Sequence, residues 1–308
     1  MATATAKPSE PRIVVNIDDL GMCHGANAAF LELARLGRCD SGSVMVPCPW
    51  FLEIAEEGRS NPALALGVHL TITAEKRHYR WRPLTAPSRA SGLVDGDGYL
   101  WGSVAEVRRH AAPEAVEAEM RAQIEAFVAA GLKPTHFDAH QAAALAPEFA
   151  AIYLALAAEY GVPVMVPRSL DAYGPVHNLA GVDPAFYREM AGSFAATGGI
   201  PADRVLETPW HRDTTPAERY GALFAAIGPG VTFMALHANA PGEIEAIEPA
   251  TAAIRTEEFA FLRGGESAAW FRTVEPFRCT LADLAGGTAE RPAGHATCTD
   301  TARYAAPS

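Results

Sequence analysis

The chain has 308 residues and a formal net charge of −11, and its sequence pI is near 5.4. Nucleic-acid binding needs clustered Lys and Arg side chains that neutralise phosphates, and no such cluster is visible, so we expect no nucleic-acid partner. Hydrophobic residues make up 49% of the chain, which supports a large core. No apolar stretch approaches the roughly 20 residues of a membrane helix, so no membrane partner is expected.

The cysteines and the first residues predict a cellular compartment. The chain has five cysteines, an odd number with no Cys-x-x-Cys pair, which is typical of free thiols in a reducing environment. Residues 1–10 are polar and lack the apolar segment of a secretory signal. We therefore expect a cytoplasmic protein.

Strand-like and helix-like segments alternate along the chain. The predicted strands are 13–17, 42–46, 65–69, 135–137, 162–166, 205–208, 231–236 and 271–274. The predicted helices are 26–36, 113–130, 147–160 and 216–227, each followed directly by a glycine. This alternation predicts an α/β fold with parallel strands and right-handed crossovers. The expected form is one TIM-like (β/α) barrel over residues 11–285, either regular or distorted, with 7–8 strands. An open doubly wound sheet is the alternative, but no GxGxxG or P-loop opens the first helix.

One connection, after the third strand, is unusually long. Residues 74–112 include Trp81, Tyr99 and Trp101, and an insertion of this length predicts a functional flap. The aromatic rings either stack on sugar rings or form the flap's own small core. Residues 286–308 are rich in Ala, Thr, Pro and Gly and are predicted to be a disordered tail.

Acidic and histidine side chains follow the ends of several predicted strands. Asp18 and Asp19 end the first strand just before a turn at Gly21, which lets both acids reach one cleft. Other polar residues at such ends are His69, Asp138, His140 and His237. Because barrel active sites collect at the carboxyl ends of the strands, this pattern predicts a metal site in which one acid of the pair is a ligand and the other a base.

The order and spacing of several motifs resemble one known family. They are Val15-Asn16-Ile17-Asp18-Asp19-Leu20-Gly21, Ser43-Val44-Met45-Val46-Pro47, Gly67-Val68-His69-Leu70, Trp81-Arg82-Pro83-Leu84, Gly98-Tyr99-Leu100-Trp101 and Lys133-Pro134-Thr135-His136-Phe137-Asp138-Ala139-His140. From about Ile13 to Leu284 the chain resembles the YdjC-like carbohydrate deacetylase family. The resemblance implies a barrel-like α/β fold and the removal of an acetyl group from an N-acetylated sugar.

The resemblance also implies a set of site residues. One divalent metal ion, Zn or Mg, would be held by Asp19, His69 and His140, an Asp-His-His set that leaves positions open for water and substrate. Asp18 would be the base acting on a metal-bound water, the nucleophile. His237 is the candidate acid that protonates the leaving amine. Asp138 is expected to orient a ligand from the second shell.

Substrate contacts and partners are expected as well. Arg168 ends the fifth predicted strand and is a candidate to hold a substrate oxygen, and Trp81, Tyr99 and Trp101 are candidates to hold the sugar rings. The expected partner is a small carbohydrate substrate. Members of the family are often dimers, so a homodimer is an expectation carried by the resemblance alone.

The sequence departs from the family at two places. Ala142 stands two residues after His140, where members commonly have another histidine, and the segment 236–242 is two residues longer than the usual Cys-His-Pro-Gly. Two other functions therefore stay open. They are a different metal-dependent amide or ester hydrolysis on the same frame, and non-catalytic sugar binding.

Overall fold

Six strands build one parallel sheet in the computed structural model, which describes residues 10–170 and 176–286. The strands are β1 Pro11–Leu20, β2 Ser41–Val44, β3 Leu66–Leu70, β4 Phe137–Ala139, β5 Arg204–Glu207 and β6 Gly230–Leu236. Their order across the sheet is β4-β3-β2-β1-β6-β5, and every pair is parallel. β1 therefore lies at the centre, and all the carboxyl ends meet at one edge.

Helices connect the strands and cover the sheet. They are α1 His24–Arg35, α2 Phe51–Ser60, α3 Val104–His110, α4 Pro113–Ala129, α5 Ala150–Tyr160, α6 Pro184–Ala196, α7 Pro216–Ala225, α8 Ile244–Ile247, α9 Ala252–Arg263, α10 Gly265–Val274 and α11 Leu281–Leu284. Short 3₁₀ helices cover Arg89–Ser91, His140–Leu145, Val176–Leu179 and Glu275–Phe277. None of these helices, in the two described ranges, has the length and apolarity needed to cross a bilayer.

The prediction of a TIM-like barrel with 7–8 strands is wrong. The sheet is an open, curled one with six strands, and two of the eight predicted strands do not form. The segment 162–166 makes only an isolated bridge between Phe137 and Val164, because prolines at 163 and 167 lack the N–H groups that a ladder needs. The segment 271–274 is the end of α10, where Ala268 and Phe271 are buried on one helix face.

The predicted flap, residues 74–112, consists of loops together with the 3₁₀ helix Arg89–Ser91 and helix α3. A single antiparallel bridge joins Val94 to Leu100. Its contact with α4 is made by Glu119, a fully buried carboxylate that accepts the backbone N–H groups of Leu84 and Thr85 at 3.0 and 2.9 Å. The flap is therefore held to the body of the protein by charge-assisted hydrogen bonds. Residues 287–308, nearly all of the predicted disordered tail, lie outside the described residues.

Candidate metal centre

The central strand ends in a backbone turn that brings two acids to one place. Asp18 and Asp19 are buried at the carboxyl end of β1, and Asp19 has a positive φ of 65°. Aspartate is one of the few residues that adopt this left-handed conformation readily. Gly21 follows with φ 81°, and the register between β1 and β2 breaks between Ile17 and Leu20. The break ends the strict alternation of side chains, so neighbouring acids do not point to opposite faces.

Three buried side chains converge at this edge of the sheet. Oδ1 of Asp19 lies 3.2 Å from Nδ1 of His140 and 3.6 Å from Nε2 of His69. The two ring nitrogens are 3.3 Å apart. One carboxylate oxygen and two imidazole nitrogens at this spacing, from three different segments, can act together as ligands of one divalent ion.

The far nitrogen of each histidine faces a carboxylate. Nδ1 of His69 lies 2.7 Å from Oδ1 of Asp138, and Nε2 of His140 lies 3.1 Å from Oε2 of Glu75. An imidazole that donates its outer N–H to a carboxylate has its inner nitrogen free as a ligand, and its ring orientation is fixed. The arrangement therefore suits metal binding at the inner nitrogens. Asp138 lies behind His69, and Glu75 lies behind His140 in the same way.

Asp19 has one oxygen that the protein leaves without a hydrogen bond. Its Oδ2 accepts a hydrogen bond from Nη1 of Arg255 at 2.7 Å, but its Oδ1 is buried and accepts none. Burial alone would raise the pKa of Asp19, yet Arg255 and His140 outweigh it and hold that pKa well below its ordinary value. A buried, ionised oxygen without a partner is costly. A cation between Oδ1 and the two imidazoles would remove that cost, so the residues present fit a divalent metal ion.

A second grouping of possible ligands shares His69. Asp18, His69 and Asp138 also have ligand atoms close to one another. In this set, however, the 2.7 Å contact of His69 with Asp138 is already a hydrogen bond, and Ser43 donates to the other oxygen of Asp138 at 2.5 Å. These partners satisfy Asp138 without an ion. The set that contains Asp19 is therefore the better metal site.

Asp18 lies beside the converging ligands in a polar pocket. Asn16 donates to its Oδ1 at 2.6 Å, and Asn16 is itself held by the hydroxyl of Ser41. Burial raises the pKa of Asp18 well above its ordinary value, and nearby Asp138 and Asp19 add to that rise against the opposing effect of His69. A carboxylate with a raised pKa is a stronger base, as a group that takes up a proton at neutral pH must be.

His237 follows β6 and faces Asp18. Its Nε2 lies 3.9 Å from Oδ2 of Asp18, and its Nδ1 lies 2.9 Å from the hydroxyl oxygen of Thr208. Burial lowers the pKa of His237 well below its ordinary value, so the ring is neutral at neutral pH. The ring of Trp210 packs against it with centroids 4.8 Å apart, a contact that the sequence did not predict.

The predicted aromatic contacts of the flap lie in different surroundings. The ring of Trp81 is buried and meets His140 edge-on at 6.2 Å. Trp101 stacks on His110 at 4.5 Å and donates its N–H to the carbonyl of Gly92, all within the flap. Tyr99 lies under the guanidinium groups of two flap arginines. Of the three rings, Trp81 is the one in contact with a candidate ligand.

The structure does not bring Arg168 to this cluster. Its Nε donates to Oδ1 of Asp203 at 2.8 Å, and its side chain is half exposed. Asp203 directly precedes β5, whereas Thr208, at the other end of β5, contacts His237. Arg168 therefore lies near the amino end of that strand, and its predicted role in substrate binding stays a prediction.

Sequence reasoning missed two charged residues next to the ligands. Glu75 contacts His140 and comes five residues after the end of β3, so a search of the residues just past each strand end would have found it. Arg255 contacts Asp19 across 236 positions of sequence. It lies in α9 with no motif around it, so only the folded structure reveals it.

The two departures from the family pattern have local structural effects. Gln141 and Ala142 both have positive φ values, 53° and 56°, in the turn that follows His140. The longer segment after β6 packs on the start of α1, where Ala240 donates its N–H to the carbonyl of Gly25 at 2.9 Å. Neither departure removes one of the converging side chains.

Comparisons with known proteins match most of this chain to one family. The YdjC-like protein family model matches residues 12–273. A carbohydrate deacetylase of Thermus thermophilus is 36% identical over 231 residues, which cover 74% of this chain and 78% of that protein. A chitooligosaccharide deacetylase of Yersinia enterocolitica is 34% identical over 164 residues, 52% of this chain and 60% of that protein.

A solved structure shares the fold. It is a protein of Enterococcus faecalis provisionally assigned to cellobiose-phosphate cleavage, with a TM-score of 0.72 and 22% identity over 90% of this chain and 99% of its own. At this identity the likeness concerns the fold alone. The family match spans most of the chain and includes every converging side chain named above. The chain therefore belongs to the YdjC-like protein family.

Proposed function

We propose that this protein is a metal-dependent hydrolase that removes an acetyl group from an N-acetylated sugar or amino-sugar conjugate. The observation that carries the proposal is the convergence of Asp19 Oδ1, His69 Nε2 and His140 Nδ1 within 3.2–3.6 Å of one another, beside the buried carboxylate of Asp18. The names of the relatives from T. thermophilus and Y. enterocolitica support a carbohydrate deacetylase.

The proposed ligands are Asp19, His69 and His140, and the metal is Zn or Mg. A divalent ion held there supplies a Lewis acid that polarises a carbonyl oxygen and makes water more acidic. Asp138 and Glu75 hold the two imidazoles from behind. Burial of these side chains excludes bulk water, so their charges act through a medium of low dielectric constant.

Asp18 and His237 are the proposed proton carriers. Asp18 takes the proton released when water attacks the acetamide, and its raised pKa lets it keep that proton during the step. His237, 3.9 Å away, takes up that proton from Asp18 and delivers it to the leaving amine, which leaves the ring neutral again. Asn16 fixes one oxygen of Asp18, so the other is the oxygen that faces His237.

Trp81 is the proposed aromatic wall for the sugar. It is the flap ring that contacts a candidate ligand, His140. Its N–H is bound to the carbonyl of Thr73 at 2.8 Å, which holds the ring in a fixed orientation. Binding of substrate by Tyr99, Trp101 and Arg168, and a homodimeric state, are predictions that need their own measurements.

Metal analysis together with an acetate-release assay on N-acetylated oligosaccharides tests the proposal. Wild-type protein should hold about one divalent ion per chain, and His69→Ala should lose it. His78→Ala is the matched control, because His78 is exposed on the flap and should leave the metal content unchanged. Full metal content in His69→Ala would contradict the ligand assignment.

The role of Asp18 has a separate test. Asp18→Asn should keep the metal and the fold but lower kcat by roughly 10²-fold or more, the scale for removal of a general base. Loss of the metal together with activity would make Asp18 a ligand instead. Bound metal without acetate release from any N-acetylated sugar would favour another amide or ester substrate or a sugar-binding role.

A further inference from the structure

A closed ring of charged side chains surrounds one side of the candidate metal centre. Its members, in order of contact, are Asp19, Arg255, Glu248, Lys76, Glu75 and His140. We call this set the charge ring. Arg255, Glu248, Lys76 and Glu75 are not proposed ligands. Of these four, Glu75 and Arg255 contact a ligand, and Lys76 and Glu248 have no role in the chemistry described above.

One half of the charge ring runs through the base of the flap. Glu75 binds Nε2 of His140 through Oε2 at 3.1 Å and binds Nζ of Lys76 through Oε1 at 2.8 Å. The same Nζ lies 2.8 Å from Oε1 of Glu248, just after α8. The lysine therefore joins the flap to a segment more than 170 positions later in the chain.

The other half returns to the metal site through α9. Oε2 of Glu248 lies 3.0 Å from Nη2 of Arg255, and Nη1 of Arg255 lies 2.7 Å from Oδ2 of Asp19. The ring closes where Nδ1 of His140 faces Oδ1 of Asp19 at 3.2 Å. Two of the three proposed ligands are thus held from behind, Asp19 by Arg255 and His140 by Glu75, at the two ends of one chain of ion pairs.

Burial makes this arrangement sensitive to the loss of a single member. The side chains of Lys76 and Arg255 are 6% and 4% exposed, and that of Glu248 is 19% exposed. Removing one partner from a buried ion pair leaves the other charge desolvated and unpaired. Without Lys76, the carboxylates of Glu75 and Glu248 would lose the cation they share and would separate.

We propose that Lys76 is a positioning residue that couples the flap to the metal centre through the charge ring. The proposal rests on the metal-dependent function proposed above. Lys76 holds Glu75, Glu75 holds the ring of His140, and through Glu248 and Arg255 the same lysine restrains Asp19. Metal binding and order at the base of the flap are therefore linked.

Positioning and simple electrostatics predict opposite effects for the loss of this lysine. When His140 is neutral, the charge ring contains three negatively charged and two positively charged side chains. Removing Lys76 therefore makes the net charge of the site more negative. Coulombic attraction alone would then bind a divalent cation more tightly. Loss of positioning instead weakens binding, as mutation of groups behind metal ligands commonly does by 10- to 100-fold.

Calorimetric titration of the metal-stripped full-length protein with Zn²⁺ distinguishes the two effects. Lys76→Met should raise the Kd for Zn²⁺ by about tenfold. Arg108→Met is the matched control, because it also removes a flap cation from an ion pair, the one with Glu148 at 2.9 Å, but at the end of the flap sequence away from Glu75 and Lys76. A Kd in Lys76→Met that is unchanged or lower, or an equal rise in Arg108→Met, would overturn the proposal.

Hydrogen exchange of the wild-type protein gives a test that does not depend on the variant folding. Zn²⁺ should slow exchange at the backbone amides of 75–76 and of 248–255, and no protection at 248–255 would overturn the coupling. A wild-type protein that binds neither Zn²⁺ nor Mg²⁺ would overturn both this proposal and the proposed function. A wild-type protein that binds Zn²⁺, with Lys76→Met binding it equally well, would overturn the charge-ring proposal alone.

Discussion

Asp19 and Asp40 are both buried acids paired with a buried arginine, yet their surroundings differ. Asp40 lies just before β2, with Oδ1 at 3.0 Å from Nη2 of Arg278 and Oδ2 accepting the N–H of Val15 at 2.9 Å. Both its oxygens have partners within the protein. Asp19, at the carboxyl end of β1, has one oxygen on Arg255 and one that accepts no hydrogen bond. A buried charge alone therefore does not indicate function, whereas an oxygen left open among imidazoles does.

Replacing Asp19 and Asp40 by asparagine should separate metal binding from structural support. The largest effects on metal content and stability are expected from these two variants. Asp40→Asn should lower the free energy of unfolding by about 3 kcal/mol, because Arg278 loses its buried counter-charge, and should leave metal content unchanged. Asp19→Asn should abolish metal binding, since an amide oxygen is a much poorer ligand than a carboxylate. Asparagine also tolerates the left-handed backbone at this position.

Denaturant unfolding and metal analysis on both variants check this comparison. Asp19→Asn should lose less stability than Asp40→Asn in the metal-free state, because Arg255 keeps a largely buried partner, Glu248, whereas the carboxylate left to Arg278, Glu275, is exposed. Metal loss in Asp40→Asn, or metal retention in Asp19→Asn, would remove the distinction between the two acids.

A third buried acid, Glu258, sharpens the comparison because its hydrogen bonds come from neutral groups. The hydroxyl of Tyr220 donates to it at 2.8 Å, and the backbone N–H of His237 donates to its other oxygen. Burial raises the pKa of Glu258 from 4.5 to about 7. The folded state therefore holds the proton more tightly than the unfolded chain, and this group makes stability fall as pH rises from about 4.5 to about 7.

Glu258→Gln should remove that part of the pH dependence, worth about 2–3 kcal/mol between pH 4.5 and 7.5. Denaturant unfolding at several pH values measures it, with Glu266→Gln as the control because Glu266 is exposed on α10. An identical pH slope in wild type and Glu258→Gln would show that folding leaves the pKa of this carboxyl unchanged.

The flap offers the smallest expected effect, as a contrast between a ring beside a candidate ligand and a ring stacked within the flap. Trp81→Ala removes the ring beside His140 and should lower kcat/KM about tenfold with metal content unchanged, as loss of a substrate wall does. Trp101→Ala removes a ring that stacks on His110 and should mainly make residues 74–112 sensitive to protease. Steady-state kinetics and limited proteolysis on both variants test this, and unchanged kinetics in both would remove the flap from the substrate site.

The sequence predicted local features well and long-range closure poorly. Apolar runs that precede Asp19 and His69 fall on β1 and β3, because a buried parallel strand needs a continuous apolar run. The motif that ends in His140 falls on β4. The barrel prediction was wrong because the segments 162–166 and 271–274 have strand-like composition. Prolines 163 and 167 keep the first segment from pairing as a strand, and the second segment is the end of helix α10, which buries Ala268 and Phe271. Arg255 was missed because a helix residue reaches Asp19 only through tertiary packing.

The segment around Pro163 and Pro167, which does not form the predicted strand, affects how the edges of the sheet can aggregate. An open sheet exposes the backbone groups of its two outer strands, and such edges can pair with other molecules and aggregate. Here the segment 163–168 forms hydrogen bonds at both outer strands, β4 and β5. Phe137 donates its N–H to Pro163 and accepts from Met165, while Ala202, just before β5, donates to Val166 and accepts from Arg168. The prolines at 163 and 167 lack the N–H groups that would extend either ladder, so this short stretch covers the amino ends of both outer strands, where a second chain could otherwise pair.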